Sequence, residues 1–262
     1  MTIATAQKTS ICYEQPLSEH IRICLRVESL FKQLRHHLNA ETDESFQALD
    51  SLLTIINVID RPDIKSKITQ TLNQYALSLS QLERFNQIDS ERLHTIISRL
   101  DQLAQQLHRP TEKISEKFKQ NHFLNQLRLQ LNTPAGLCSH TSTPLILWKK
   151  QPKEVKLRYI HHWASHLNTL NAAAELILGL IRQSKLDQEH IAHDGFFQKT
   201  LNTNLPCEML IVKIDSDQFV YPEISAGKHR LTVRFMTPNF YHNGLSNQTQ
   251  DTVHFKLTCC YC

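Results

Sequence analysis

The chain has 262 residues, 40% of them apolar and 21% charged, with a net charge of +4. That length supplies one large core or two smaller ones. With only 5 glycines, there is no glycine-rich phosphate loop, no P-loop and no nucleophile-elbow sequence. The mild positive charge suits an acidic partner without requiring nucleic acid.

The start, Met1 to Lys8, is polar and lacks a basic segment followed by an apolar one, so no secretory leader is read there. The longest apolar tract, Ala172 to Ile181, has ten residues and contains Glu175, well short of the ~20 a membrane span needs. Seven cysteines, an odd number, fit a reduced compartment. These features predict a cytoplasmic protein.

Residues 1–11 read as a loose tail. From Pro16 an apolar stripe of Leu17, Ile21, Leu25, Leu30, Leu34 and Leu38 predicts a helix, and Arg22 and Arg26, four apart, share one of its faces. A second helix is expected from Asp43 to Asp60. It is broken at Asp60-Arg61-Pro62-Asp63, because proline cannot continue a helix interior. Further helices are expected from Pro62 to about Phe85, from Asp89 to Leu107 and from Thr111 to about Leu131. A turn follows at Asn132 to Gly136. Leu145 to Trp148 reads as a short strand, and Lys153 to Lys185 as one long helix of ~45 Å.

After about Asp187 the pattern shifts to short alternating segments: Gly195–Leu201, Cys207–Ile214, Gln218–Ile224, Lys228–Phe235 and Thr252–Thr258, predicted strands of an antiparallel sheet. Asn239 to Gln250 reads as a polar loop. The expected fold class is α+β: an N-terminal and central helical domain (12–190), with the long helix leading into an antiparallel β domain (191–258). A cysteine-rich end, 259–262, closes the chain.

Catalytic and metal chemistry find little support. His162 and His166 lie i, i+4 on the long helix, a spacing that suits zinc, but a solvated helix face accounts for them as well. His190 and His193 suit a helix C-terminus. Cys259, Cys260 and Cys262 include an adjacent pair that would alternate across a strand. Cys138 and His140 lack a third, orienting group. Asp215 and Asp217 fit a turn. No enzyme, cofactor or metal is expected.

The basic residues carry the functional signal. Along Lys228-His229-Arg230-Leu231-Thr232-Val233-Arg234-Phe235, the residues Leu231, Val233 and Phe235 alternate with Lys228, Arg230, Thr232 and Arg234. One face of this strand packs on a core while the other holds positive charges over ~20 Å, a length suited to an extended acidic peptide. Arg61 and Lys65 add charge at a helix junction. A basic nucleic-acid-binding adaptor is the alternative reading, opposed by the small net charge and the lack of stacking aromatics beside the arginines.

The segment Glu14 to Glu28 (EQPLSEHIRICLRVE) resembles the ZapD family of bacterial cell-division proteins. The resemblance continues through Pro134 to Ser139, Leu180 to Ser184, Tyr221 to Ser225, Lys228 to Met236 and Cys259-Cys260. These blocks stand in family order over nearly the whole chain. The resemblance implies a cytoplasmic homodimer, recruited to mid-cell, that binds the C-terminal tail of FtsZ and bundles FtsZ protofilaments to stabilise the Z-ring. It implies no membrane or nucleic-acid partner. The family's basic pocket corresponds to Arg61, Lys65, Lys228, Arg230 and Arg234. Arg22 and Arg26 correspond to basic residues near the dimer contact. Lys65 keeps the charge that arginine would bring there but not its bidentate fork.

Overall fold

The computed structural model describes residues 10–84, 89–108, 114–131, 133–134, 136–137, 142–184, 186–202, 207–227, 229–240 and 246–261. They divide into two compact units. A β unit comprises residues up to Arg22 together with Gly179 onward, and a helical unit runs from Ile23 to Leu178. The α+β class is as expected, with helices α1 to α9 and antiparallel strands concentrated in the C-terminal part.

In the helical unit, α1 (Glu19–Leu38) contributes Val27, Leu30, Phe31 and Leu34 to the core. The next helix, α2 (Ser45–Ile59), is buried around much of its circumference through Ala48, Leu49, Leu52, Leu53, Ile55 and Ile56, the pattern of a central helix. It packs on α6 (His122–Leu131) and α8 (Lys153–Ser165). Helices α3 (Pro62–Ser80) and α4 (Ser90–His108) lie along one another, and α5 (Ile114–Gln120) packs on α6. The Arg61-Pro62 break falls where expected. Pro62 occupies the first turn of α3, where its missing N–H costs nothing.

Three expectations in this unit change. Leu145 to Trp148 lies in helix α7 (Thr143–Lys149), not in a strand. Pro144 sits in its first turn, and the buried residues Leu145 and Trp148 are three apart while Ile146 and Leu147 face solvent. The helix expected to end at Leu131 divides at Asn121, whose Oδ1 accepts the Leu124 amide at 3.1 Å and starts α6 afresh. The long helix is two, α8 and α9 (Asn168–Gln183). At the junction the Ser165 hydroxyl donates to the His162 carbonyl at 2.7 Å. The His166 and Leu167 amides tighten to i→i−3 bonds, an interruption that serine side chains favour.

The β unit holds two facing four-stranded sheets, one in the order β1-β4-β8-β2 and one built on β3-β6-β5. The first contains β1 (Ser10–Pro16), β2 (Gln188–Ala192), β4 (Cys207–Asp215) and β8 (Val253–Tyr261). The second contains β3 (Phe196–Thr200), β5 (Tyr221–Ala226) and β6 (Arg230–Thr237), with the short β7 (Asn247–Gln248) on β6. Leu210, Val212 and Ile214 from one sheet meet Leu231, Val233 and Phe235 from the other, with Phe255 and Leu257 between them in one core. The tail assigned to 1–11 gives up Ser10 and Ile11 to β1, which pair with Asp215 and Ile214; only a distant partner strand makes that segment a strand. Residues 1–9 lie outside the described residues. The β region likewise begins earlier than 191, at Gln188, and the strand expected to stop at Thr258 continues through Cys259 and Cys260.

Candidate functional site

Strand β6 is the spine of the basic surface. Leu231, Val233 and Phe235 are 0% exposed, so the strand's inner face is fixed by the sandwich core. Register then places Arg230, Thr232 and Arg234 together on the opposite face, and both arginines are exposed. They stand ~13 Å apart. Neither arginine takes part in an ion pair among the described residues. Lys228, the third basic residue expected here, lies outside the described residues.

The strands on either side supply neighbours that sequence reasoning missed. Arg234 lies opposite Phe196 on β3 and Glu223 on β5, and Met236 lies opposite Tyr221. Directly opposed residues share a face with Cβ atoms ~5 Å apart. Phe196 is 40% exposed; Tyr221 and Met236 are half-buried. The outer face of this sheet therefore offers two cations, the exposed Glu223 carboxylate opposite Arg234 and, at one end, apolar side chains beside them. The alternation of Tyr221, Glu223 and Ser225 along β5 was the available signal, but which strands flank β6 was not readable locally.

A second basic group belongs to the helical unit. Arg61 and Arg26 line one hollow of about 600 Å³ with Asp60, Arg128, Val58 and Leu129. Asp60 is bound by Arg128 and by Lys119 at 3.1 Å. Burial pushes the Asp60 carboxyl up, but these two cations outweigh that and hold it below the usual carboxylate range. With Asp60 neutralised from within, Arg26 and Arg61 remain exposed and without an ion-pair partner among the described residues. Arg128 was not anticipated: it sits on a different helix, and only packing brings it to the Arg61 turn.

Lys65 does not join this hollow. It lines another, of about 600 Å³, with Thr69, Gln70, Asn73 and His108 along α3 and α4. Four residues would put Arg61 and Lys65 on one helix face, but Arg61 precedes the helix with extended backbone, φ −67° and ψ 124°, which turns it out of helical register. Arg22, on the exposed face of α1, is engaged by Glu19 at 2.7 Å.

The other candidates take structural places. His190 is a β2 residue, not a helix cap; its ring lies 4.8 Å from that of Phe197 and 5.9 Å from that of Phe255, and burial, then Lys199, pulls its pKa down. His162 and His166 stand edge-on with centroids 5.2 Å apart. Cys259 faces the inter-sheet core and Cys260 the other side of β8. The Cys207 thiol is pushed up by its hydrogen bond with Cys259 and by burial, and burial pushes that of Cys260 up to about 11. Neither thiol has the low pKa of a nucleophile. Cys138, His140 and Cys262 lie outside the described residues. No helix among the described residues is long and apolar enough to cross a membrane.

Comparison with known proteins gives one consistent result. The family described as "ZapD: Cell division protein" matches residues 25–234. A cell division protein ZapD of Coxiella burnetii is 40% identical over 253 residues, covering 96% of this chain and 98% of the relative. One from Methylococcus capsulatus is 31% identical over 97% of this chain and 99% of the relative. One from Pectobacterium carotovorum is 28% identical over 96% and 98%.

Proposed function

The chain belongs to the ZapD family of cell division proteins, and from that premise we propose that it binds the C-terminal tail of FtsZ and crosslinks FtsZ protofilaments. The observation that carries this reading is the exposed Arg230 and Arg234, neither in an ion pair among the described residues, on a strand whose opposite face buries Leu231, Val233 and Phe235. A rigid strand holds the two guanidinium groups apart at a spacing an extended acidic peptide matches, and each can grip a carboxylate bidentately. Phe196, Tyr221 and Met236 beside Arg234 supply an apolar seat for the peptide's hydrophobic residues. Arg61 and Arg26 form a separate basic surface on the helical unit; Lys65 and Lys228 are the further cations proposed for acidic tails.

Crosslinking requires two sites, and the proposed unit is a homodimer with one tail per subunit. Arg22 and Arg26 on α1 are assigned to the region near the dimer contact. A filament presents many tails side by side, so sites of modest affinity act together. The protein acts by binding and uses no catalytic step, and its place at mid-cell follows from FtsZ.

Co-sedimentation with FtsZ polymers tests the reading. The protein pellets with intact FtsZ and stays in the supernatant with FtsZ lacking its C-terminal tail. Equal pelleting with both overturns tail recognition, and pelleting with neither overturns FtsZ binding. A mass measurement separates the crosslinker from a simple tail binder: a species at 30.4 kDa across the concentrations that bundle filaments excludes the dimer.

A further inference from the structure

The end of α1 and the start of α2 carry a cluster that tail binding does not use. His36 and His37 lie in the last turn of α1, and Glu44 immediately precedes α2. One donor atom from each of the three lies within 4.8 Å of the others. His37 Nδ1 and Glu44 Oε2 are 2.7 Å apart, and the two imidazole rings stand edge to face with centroids 5.5 Å apart. Among the described residues no other three His, Cys, Asp or Glu converge in this way.

Consecutive helix residues point about 100° apart, so the convergence depends on the α1–α2 connection carrying Glu44 back across the helix end. That connection is braced. Lys153 Nζ donates to the carbonyls of Ala40 and Glu41 at 2.8 and 2.9 Å, and the buried Lys156 ammonium binds Asp43. The Thr42 hydroxyl donates to Glu44 Oε1 at 3.1 Å, holding the carboxylate by the oxygen that does not face His37. The Ala48 amide donates to the Glu44 carbonyl at 2.9 Å. Outer hydrogen bonds of this kind orient metal-ligating carboxylates.

We propose that His36, His37 and Glu44 form a binding site for a divalent transition-metal ion of the zinc class, with a fourth coordination position open to solvent. Two imidazole nitrogens and one carboxylate oxygen form a set that zinc and its neighbours favour, whereas magnesium and calcium take oxygen donors. The ion replaces the proton shared by His37 and Glu44. The two atoms then separate from 2.7 Å to about 3.3 Å, the spacing of tetrahedral bonds of about 2.0–2.1 Å. His36 is exposed and Glu44 only half-buried, which leaves room for that adjustment. The hydrogen bond to Glu44 accounts for the place of His37, but gives no reason for His36 to close on the same point.

The test is a Co²⁺ titration of the untagged, fully reduced full-length protein, followed by visible d–d absorption and then by Zn²⁺ competition. One equivalent is expected to bind without thiolate charge-transfer bands, and Zn²⁺ displaces it. H36A and E44Q each weaken binding by about tenfold or more, while R230E leaves it unchanged. His36 is exposed, so H36A keeps the fold, which circular dichroism verifies. No d–d spectrum, a spectrum dominated by thiolate ligation, or undiminished binding in H36A and E44Q overturns the site. None of these residues lies in the arginine surfaces, so this site and FtsZ binding stand or fall separately.

Discussion

Arg182 grips Glu14 with both arms of its guanidinium group, Nε to Oε1 at 2.7 Å and Nη2 to Oε2 at 2.8 Å. The pair joins the first strand of the chain to the last helix, inside the β unit, with each side chain less than a third exposed. A fork-to-fork pair at such a site is stronger than a surface ion pair. R182A is expected to lower unfolding free energy by about 1–3 kcal/mol in urea. R182K recovers only part of that loss, because an ammonium cannot bond both oxygens in one plane.

Strand β6 predicts opposite outcomes for neighbouring residues. Arg230 and Arg234 are exposed, whereas Phe235 is 0% exposed in the sandwich core. The double variant R230E/R234E is expected to unfold within about 0.5 kcal/mol of the parent and to lose pelleting with FtsZ polymers. In the parent protein that pelleting weakens as salt rises. F235A is expected to cost about 3–5 kcal/mol through the cavity it leaves.

Gly195 and Asp194 form the turn from β2 to β3 with φ of 64° and 51°. A Cβ on Gly195 would lie 2.6 Å from the Thr249 carbonyl oxygen and 2.8 Å from its Cγ2. Left-handed backbone strain and the clash act together, so G195A is expected to destabilise by about 2–4 kcal/mol in a denaturant titration. D194N has a near-neutral effect, since asparagine tolerates this conformation.

Asp60 gives the helical unit a pH dependence. Burial raises its carboxyl pKa, but the hydrogen bonds from Arg128 and Lys119 more than reverse that. Its folded pKa therefore lies below the unfolded value of about 3.9. The stabilisation is present above that value and is lost as pH falls through the folded pKa. D60N is expected to cost about 1–3 kcal/mol at pH 7, because it strands the mostly buried Arg128. The difference between D60N and the parent shrinks when unfolding is measured in acid.

Much of this architecture was legible locally. The stripe of α1, the break at Arg61-Pro62 and the alternation of 230–235 are periodicities, and burial of one face needs nothing more than the right period. The misread segments depend on partners elsewhere. Ser10 to Pro16 is a strand because β4 supplies its hydrogen bonds. Leu145 to Trp148 is helical because its two buried residues find a core three positions apart. Side-chain hydrogen bonds from Asn121 and Ser165 cut helices that the apolar stripe alone would have continued.

The amino-acid sequence by itself determined that Arg230 and Arg234 share one strand face, because residue parity in a strand leaves no other choice. It also determined the family, since the matching blocks run in order through the chain. The tertiary structure alone decided what stands beside those arginines. Phe196 and Tyr221 reach the β6 face through cross-strand register, and Arg128 reaches the Arg61 turn through helix packing. The extended backbone at Arg61 put that residue in a different hollow from Lys65. Helix packing also closed His36, His37 and Glu44 on one point, because the connection that returns Glu44 to the end of α1 is held by lysines from α8, more than a hundred residues along the chain.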